Sequence, residues 1–134
     1  MADKYQSSGV TVKLESPDDT LLIESYGDGG FRLMGRRVEG SVFVRESGFF
    51  PFAVDNLSAL APADIEGALA PHPSPEILLI GTGPDMALLP KELRLYLEQN
   101  SIGYDVMSTG AASRTYNVLT IEGRNVAAIL LQVP

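Results

Sequence analysis

Two hydrophobic rhythms divide the chain. From Leu21 to Val54, short apolar runs alternate with glycine-rich turns, whereas from Ile77 to Val133 continuous apolar runs alternate with segments of helical spacing. The first rhythm predicts an antiparallel meander. Leu21–Tyr26 forms one strand, Gly27-Asp28-Gly29-Gly30 is a strong turn signal, and Phe31–Met34 pairs back as a hairpin. After Gly35-Arg36-Arg37 the run Gly40–Arg45 continues the β pattern, and Phe49–Val54 adds an aromatic strand that Pro51 marks as an edge. Pro62-Ala63-Asp64-Ile65-Glu66 opens a short amphipathic helix, and the prolines at 71, 73 and 75 make a connector. Residues 1–9 are expected to be a loose arm, with a further strand at Val10–Leu14, so that 10–134 make a single globular domain.

The second rhythm predicts strand, helix, strand, helix, strand. Ile77–Ile80 is a continuous apolar run of the kind buried on both faces of a parallel sheet, and Gly81-Thr82-Gly83-Pro84 ends it. Leu89, Leu93, Tyr96 and Leu97 fall at helical spacing, with Pro90 near the first turn and a stop at Asn100–Gly103. Tyr104–Met107 is the next strand, Gly110–Glu122 the next helix, and Val126–Val133 the last strand. The last strand can run in either direction, because Gly123-Arg124-Asn125 suits both. The fold class is α/β in three layers, a meander packed beside an α/β/α unit with a mixed or parallel sheet.

Composition narrows the function. With 134 residues, 45% of them hydrophobic, the chain can bury a core without metals or disulfides. A formal charge of −7 and scattered basic residues argue against nucleic acid as a partner. The chain has no cysteine, which removes thiol catalysis and Cys-ligated metal centres. No run approaches the length of a membrane span and no leader pattern opens the chain, so a soluble cytoplasmic protein is expected.

Candidate chemistry concentrates at two turns. Ser108-Thr109-Gly110-Ala111-Ala112-Ser113-Arg114 opens a helix at the carboxyl end of a strand, where open α/β sheets place ligands. Ser108 or Thr109 can cap the helix, Gly110 lets the backbone turn, and Arg114 adds a permanent positive charge. With Gly81, Thr82, Gly83 and Asp85 from the other turn, these residues define a candidate anion cleft. A purely structural role competes with it: Thr109 caps, Ala111 and Ala112 permit close packing, Arg114 pairs with Asp85 or Glu122, and Asn117 bonds backbone. Gly81-Thr82-Gly83 falls short of a dinucleotide fingerprint, since the third glycine position is Met86 and Pro84 lacks an amide donor. His72, the only histidine, sits between prolines, and Asp18-Asp19 has no cation-loop spacing. No catalytic residue, cofactor or metal ligand is therefore assigned. Phe49, Phe50 and Phe52 are candidates for docking a protein partner as well as for core, and Arg36 and Arg37 read as an exposed hairpin tip that joins the candidate partner surface.

Three segments together carry a resemblance: Tyr26-Gly27-Asp28-Gly29-Gly30-Phe31-Arg32, Leu78-Leu79-Ile80-Gly81-Thr82-Gly83, and Ser108–Leu119 with Glu122-Gly123-Arg124. They resemble the family of mitochondrial NADH dehydrogenase (respiratory complex I) assembly factor three and its bacterial relatives, a domain of otherwise unknown function. The resemblance covers nearly all of the chain beyond the first residues, and none of its motifs is a catalytic signature. It implies the three-layer fold above and a role in building complex I through protein contacts. Many relatives carry cysteine where this chain has Ser113, so no thiol function is carried over. The absence of a mitochondrial targeting pattern suits a bacterial member. The expectation is a non-enzymatic protein-binding or assembly module; the alternative is a small-molecule enzyme or sensor that holds an anionic ligand in the cleft between the two turns.

Overall fold

Glycine and aspartate at the first predicted turn do what their chemistry allows. Asp28 and Gly29 both adopt positive φ, 53° and 78°, which makes the two-residue turn that joins β1 (Ile23–Gly27) to β2 (Gly30–Leu33). Met34 and Gly35 repeat the device, with φ of 51° and 73°, before β3 (Arg36–Glu39). The structure is a computed structural model and describes residues 20–70 and 74–134. The arm at 1–9, the strand expected at 10–14, Asp18-Asp19 and His72 lie outside the described residues.

β1, β2 and β3 form an antiparallel sheet of their own. The meander divides at Gly40, whose φ is 84°: β4 (Ser41–Arg45) and β5 (Gly48–Phe52) leave it and join the strands of the second half. Arg36 and Arg37 are accordingly the start of a strand and not a hairpin tip. A short 3-10 turn at Leu57–Ala59 leads to α1 (Pro62–Leu69), then come β6 (Ile77–Gly81), α2 (Lys91–Gln99), β7 (Tyr104–Met107), α3 (Thr109–Ile121) and β8 (Val126–Leu130). The larger sheet has the order β5-β4-β8-β6-β7, with β5 at an edge as Pro51 predicts. β8 runs parallel to β6, which settles the direction left open by the sequence, and antiparallel to β4.

Period-two alternation sorts this sheet's side chains onto two cores. Val42, Val44, Leu79, Val126, Ala128 and Leu130 face one way, against α3 (Ala112, Tyr116) and the small sheet (Ile23, Phe31, Leu33, Val38). Phe43, Leu78, Ile80, Ala127 and Ile129 face the other way, against α1 (Ile65, Leu69) and α2 (Leu93, Leu97). The fold is α/β, with three layers: α1 and α2, the five-stranded mixed sheet, then α3 beside the three-stranded sheet. Because β7 and β8 flank β6 on opposite sides, the chain reverses its winding at the carboxyl end of β6. That is where the two candidate turns meet.

Candidate functional site

The two turns touch through Thr109. This residue is fully buried. Its Oγ1 donates to the Leu131 carbonyl at 2.6 Å and accepts from Gly83 N at 2.9 Å, while its own N–H donates to the Gly83 carbonyl at 2.9 Å. Leu131 N in turn donates to the Gly81 carbonyl at 3.0 Å. One side chain thus ties β6, the first turn of α3 and the end of β8 together. The approach requires glycine at 81, where a Cβ would stand 2.8 Å from Thr109 Cα and 2.9 Å from its Oγ1. Ser108 is the cap, its Oγ accepting from Ala111 N at 3.3 Å. On the other side, Thr82 Oγ1 donates to the Asp85 carbonyl at 2.6 Å and accepts from Ala87 N at 3.2 Å.

Arg114 and Asp85 do not pair. Both are exposed, and the ion pairs among the described residues are Arg37 with Glu39 and Arg124 with Glu76. The phase of α3 explains this: Ala112, Ser113 and Tyr116 face inward, which turns Arg114 away from the β6 turn. Arg114 instead lines a pocket of about 510 Å³ between α3 and β1, with Ile23, Glu24, Ser25, Tyr26, Ser113 and Asn117. The structure therefore gathers Gly81, Thr82, Gly83, Ser108 and Thr109 but sets Arg114 on another surface. Gly110 packs directly beneath the Tyr26 ring, whose Cζ a Cβ there would meet at 2.9 Å. Asn117 fixes β1 to α3 by accepting from Ile23 N at 2.8 Å and donating to the Ile23 carbonyl at 2.9 Å. The Tyr116 hydroxyl is buried with no hydrogen-bond partner among the described residues, and burial pushes the phenol up to about 12, against the opposing influence of Thr120 and Arg45.

The aromatic run splits between the two faces of the sheet. Phe49 is fully buried in the core beside the small sheet, whereas Phe50 and Phe52 are half-buried on the α1 side. Phe50 stacks on Phe43 with ring centroids 6.3 Å apart. Together with Pro51, Ala53 and the α1 residues Ala63, Asp64, Gly67 and Ala68, these rings line a groove of about 440 Å³. Phe43 and the small α1 residues escape sequence reasoning, since neither carries a motif. Arg36 and Arg37 belong to the small sheet, on the opposite face of the large one, so they are not part of this groove. Arg37 braces the first hairpin, with Nε donating to Glu39 at 2.9 Å and Nη2 to the carbonyls of Gly27 at 3.1 Å and Asp28 at 2.7 Å.

Comparison with known proteins adds four findings. A family described as protein of unknown function (DUF498/DUF598) matches residues 23–131. An uncharacterised protein of Rhodobacter capsulatus is 40% identical over 115 residues, 85% of this chain and 86% of the relative. NADH dehydrogenase (ubiquinone) 1 alpha subcomplex assembly factor 3 of Danio rerio is 26% identical over 132 residues, 98% of this chain and 76% of the relative. A crystal structure of an outer membrane protein from Bartonella henselae superposes with a TM-score of 0.77 at 41% identity, covering 86% of this chain and 97% of that one. Among the described residues no helix is long and apolar enough to cross a membrane.

Proposed function

The chain belongs to the DUF498/DUF598 family, and we propose that it works as a non-catalytic protein-binding module that assists assembly of a larger complex. The observation that carries this reading is the groove between β5 and α1, lined by Phe43, Phe50 and Phe52 on one side and small residues on the other. Aromatic side chains in a concave, partly exposed setting are what protein interfaces use as hot spots. The similarity to the fish assembly factor over nearly the whole chain makes NADH dehydrogenase biogenesis the process to test first. Affinity capture from native extract, with the wild type and with Gly67→Leu, checks it. A Cβ at Gly67 meets nothing within 4 Å, so the larger side chain occupies the groove without disturbing the core. Recovery of respiratory subunits by the wild type and their loss with the variant is expected. Capture without respiratory subunits refutes the assignment, and steady turnover of an ester, phosphate or nicotinamide substrate that depends on Asp85 or Arg114 refutes the non-catalytic reading.

A second reading, a small-molecule binder for an anionic ligand, draws on Arg114, which forms no ion pair among the described residues and lines the pocket against β1. Thermal stabilisation by added phosphate or carboxylates, lost in Arg114→Gln, would favour it. Equal midpoints with and without these anions count against it.

A further inference from the structure

We infer that the groove between β5 and α1 receives an apolar anchor from a cationic amphipathic segment of a partner protein, which deepens the assembly reading and rests on it. The pocket, at about 440 Å³, falls within the range of sites that hold whole ligand groups, and its walls are chemically one-sided. Phe43, Phe50, Pro51 and Phe52 supply rings and apolar edges, while Ala63, Gly67 and Ala68 leave space above α1. Among the described residues the only charged one in its lining is Asp64, whose Oδ2 also accepts from Ala61 N at 2.9 Å and so is held in place at the start of α1.

The stretch of chain that builds most of the groove carries charge of one sign. The segment from Glu46 to Ala70, which contains both β5 and α1, carries Glu46, Asp55, Asp64 and Glu66 and neither lysine nor arginine. The chain as a whole has a formal charge of −7. An acidic partner would meet repulsion at this rim, whereas lysine or arginine flanking an apolar anchor would find complementary potential. Insertion of side chains from a helix suits the site better than addition of a strand. β5 is an edge strand, but Pro51 near its end has no N–H, so a strand laid along it would find an incomplete ladder.

The test uses two labelled peptides of about 15 residues, long enough to form a helix on binding. Both present leucine at helical spacing; one carries lysine on the flanking positions and its twin carries glutamate. Fluorescence anisotropy is recorded with the wild type, with Gly67→Leu, and with Ala63→Gln, an exposed position on the groove that serves as a second blocking variant. Thermal melts verify that each variant is folded. The inference expects saturable binding of the lysine peptide, at least about tenfold tighter than its twin, weakening with added salt. It also expects both blocking variants to lose that binding. Absence of saturable binding, equal binding of the two peptides, or unchanged binding to the blocked variants overturns it. A native partner that is lost with Gly67→Leu yet held regardless of salt leaves the assembly reading standing and overturns this inference alone.

Discussion

Replacing Thr109 by valine keeps the side chain's shape and removes the oxygen that joins three elements. The hydroxyl makes two buried hydrogen bonds, to the Leu131 carbonyl at 2.6 Å and from Gly83 N at 2.9 Å. Valine leaves both of those groups buried without a partner, and an unsatisfied buried donor or acceptor costs about 1–3 kcal/mol. The loss expected is therefore roughly 2–4 kcal/mol, since the two costs share one local rearrangement and do not add fully. Thr109→Ser keeps the hydroxyl, sheds one methyl group and should cost only about 1 kcal/mol. Gly81→Ala strains the same joint from the other side, because its Cβ would stand 2.8 Å from Thr109 Cα. Urea unfolding followed by far-UV circular dichroism reads these values from the midpoint, with the slope unchanged if the native state stays compact. Gly81→Ala combined with Thr109→Val should cost less than the sum of the two. If Thr109→Val lies within about 0.5 kcal/mol of the wild type, or if serine is worse than valine, the hydroxyl is not the joint and the reasoning fails.

Four further outcomes follow from single positions. Gly67→Ala should raise stability by about 0.8–1 kcal/mol, the helix-propensity difference, because its Cβ enters open space; a lower melting temperature would contradict the placement of α1. Asn117→Ala should cost roughly 1–3 kcal/mol and raise hydrogen exchange at Ile23, since it removes both bonds that hold β1 to α3. Arg114→Ala should change stability by no more than about 0.5 kcal/mol, because the exposed guanidinium has no ion pair among the described residues. Burial raises the Tyr116 phenol from 10.0 to about 12 in the fold. Between those values the unfolded chain alone loses the proton, so stability should fall by up to roughly 2–3 kcal/mol as pH rises from about 10 to about 12. Tyr116→Phe should flatten that slope while leaving neutral-pH stability equal or higher; a slope unchanged by the substitution would assign the loss elsewhere.

The second half of the fold was legible because its signals are redundant. Leu78, Leu79 and Ile80 are all fully buried, as a continuous apolar run predicts, and α3 is bounded by the Ser108 cap and by Gly123 at a φ of 81°. The first half was less so. β3 has one inward residue, Val38, in Arg36-Arg37-Val38-Glu39, too short a run for alternation to show, and its preceding turn puts Met34 in the left-handed region that sequence assigns to glycine. The change of sheet at Gly40 depends on β8, which pairs with β4 from far along the chain at Val126–Leu130, and no local pattern encodes it. At the candidate site, Ser108 and Thr109 mark a helix start in the sequence itself, whereas the phase of α3, which turns Arg114 away from Asp85, emerges only from the packing of Ala112, Ser113 and Tyr116. The Asn117 bond to Ile23 spans 94 positions and joins a side chain to backbone, so the residue type at 23 carries no trace of it.

The cost of opening each surface decides where a partner or ligand is received most readily. At the winding reversal beyond β6, Gly83 N, Thr109 N and Ala111 N already donate to protein oxygens. An anion seated on those amides must break such bonds, stranding acceptors at about 1–3 kcal/mol each where they stay buried. A surface ion pair contributes about 0–1 kcal/mol, so a contact with exposed Arg114 would not offset even one stranded group. The pocket between α3 and β1 avoids that cost, yet Glu24 shares its lining with Arg114. The groove beside β5 requires no hydrogen bond to be broken. Half-buried Phe50 and Phe52 already line an open depression, and each square ångström of apolar surface covered there contributes about 25 cal/mol. Covering about 150 Å² of apolar surface in total, counted over both partners, gives roughly 4 kcal/mol before the entropy of association is counted, enough for the groove to act as an anchor within a larger contact and too little for it to hold a partner alone. A single blocking side chain at Gly67 should therefore weaken a native assembly by a measurable factor while leaving the rest of its interface able to form.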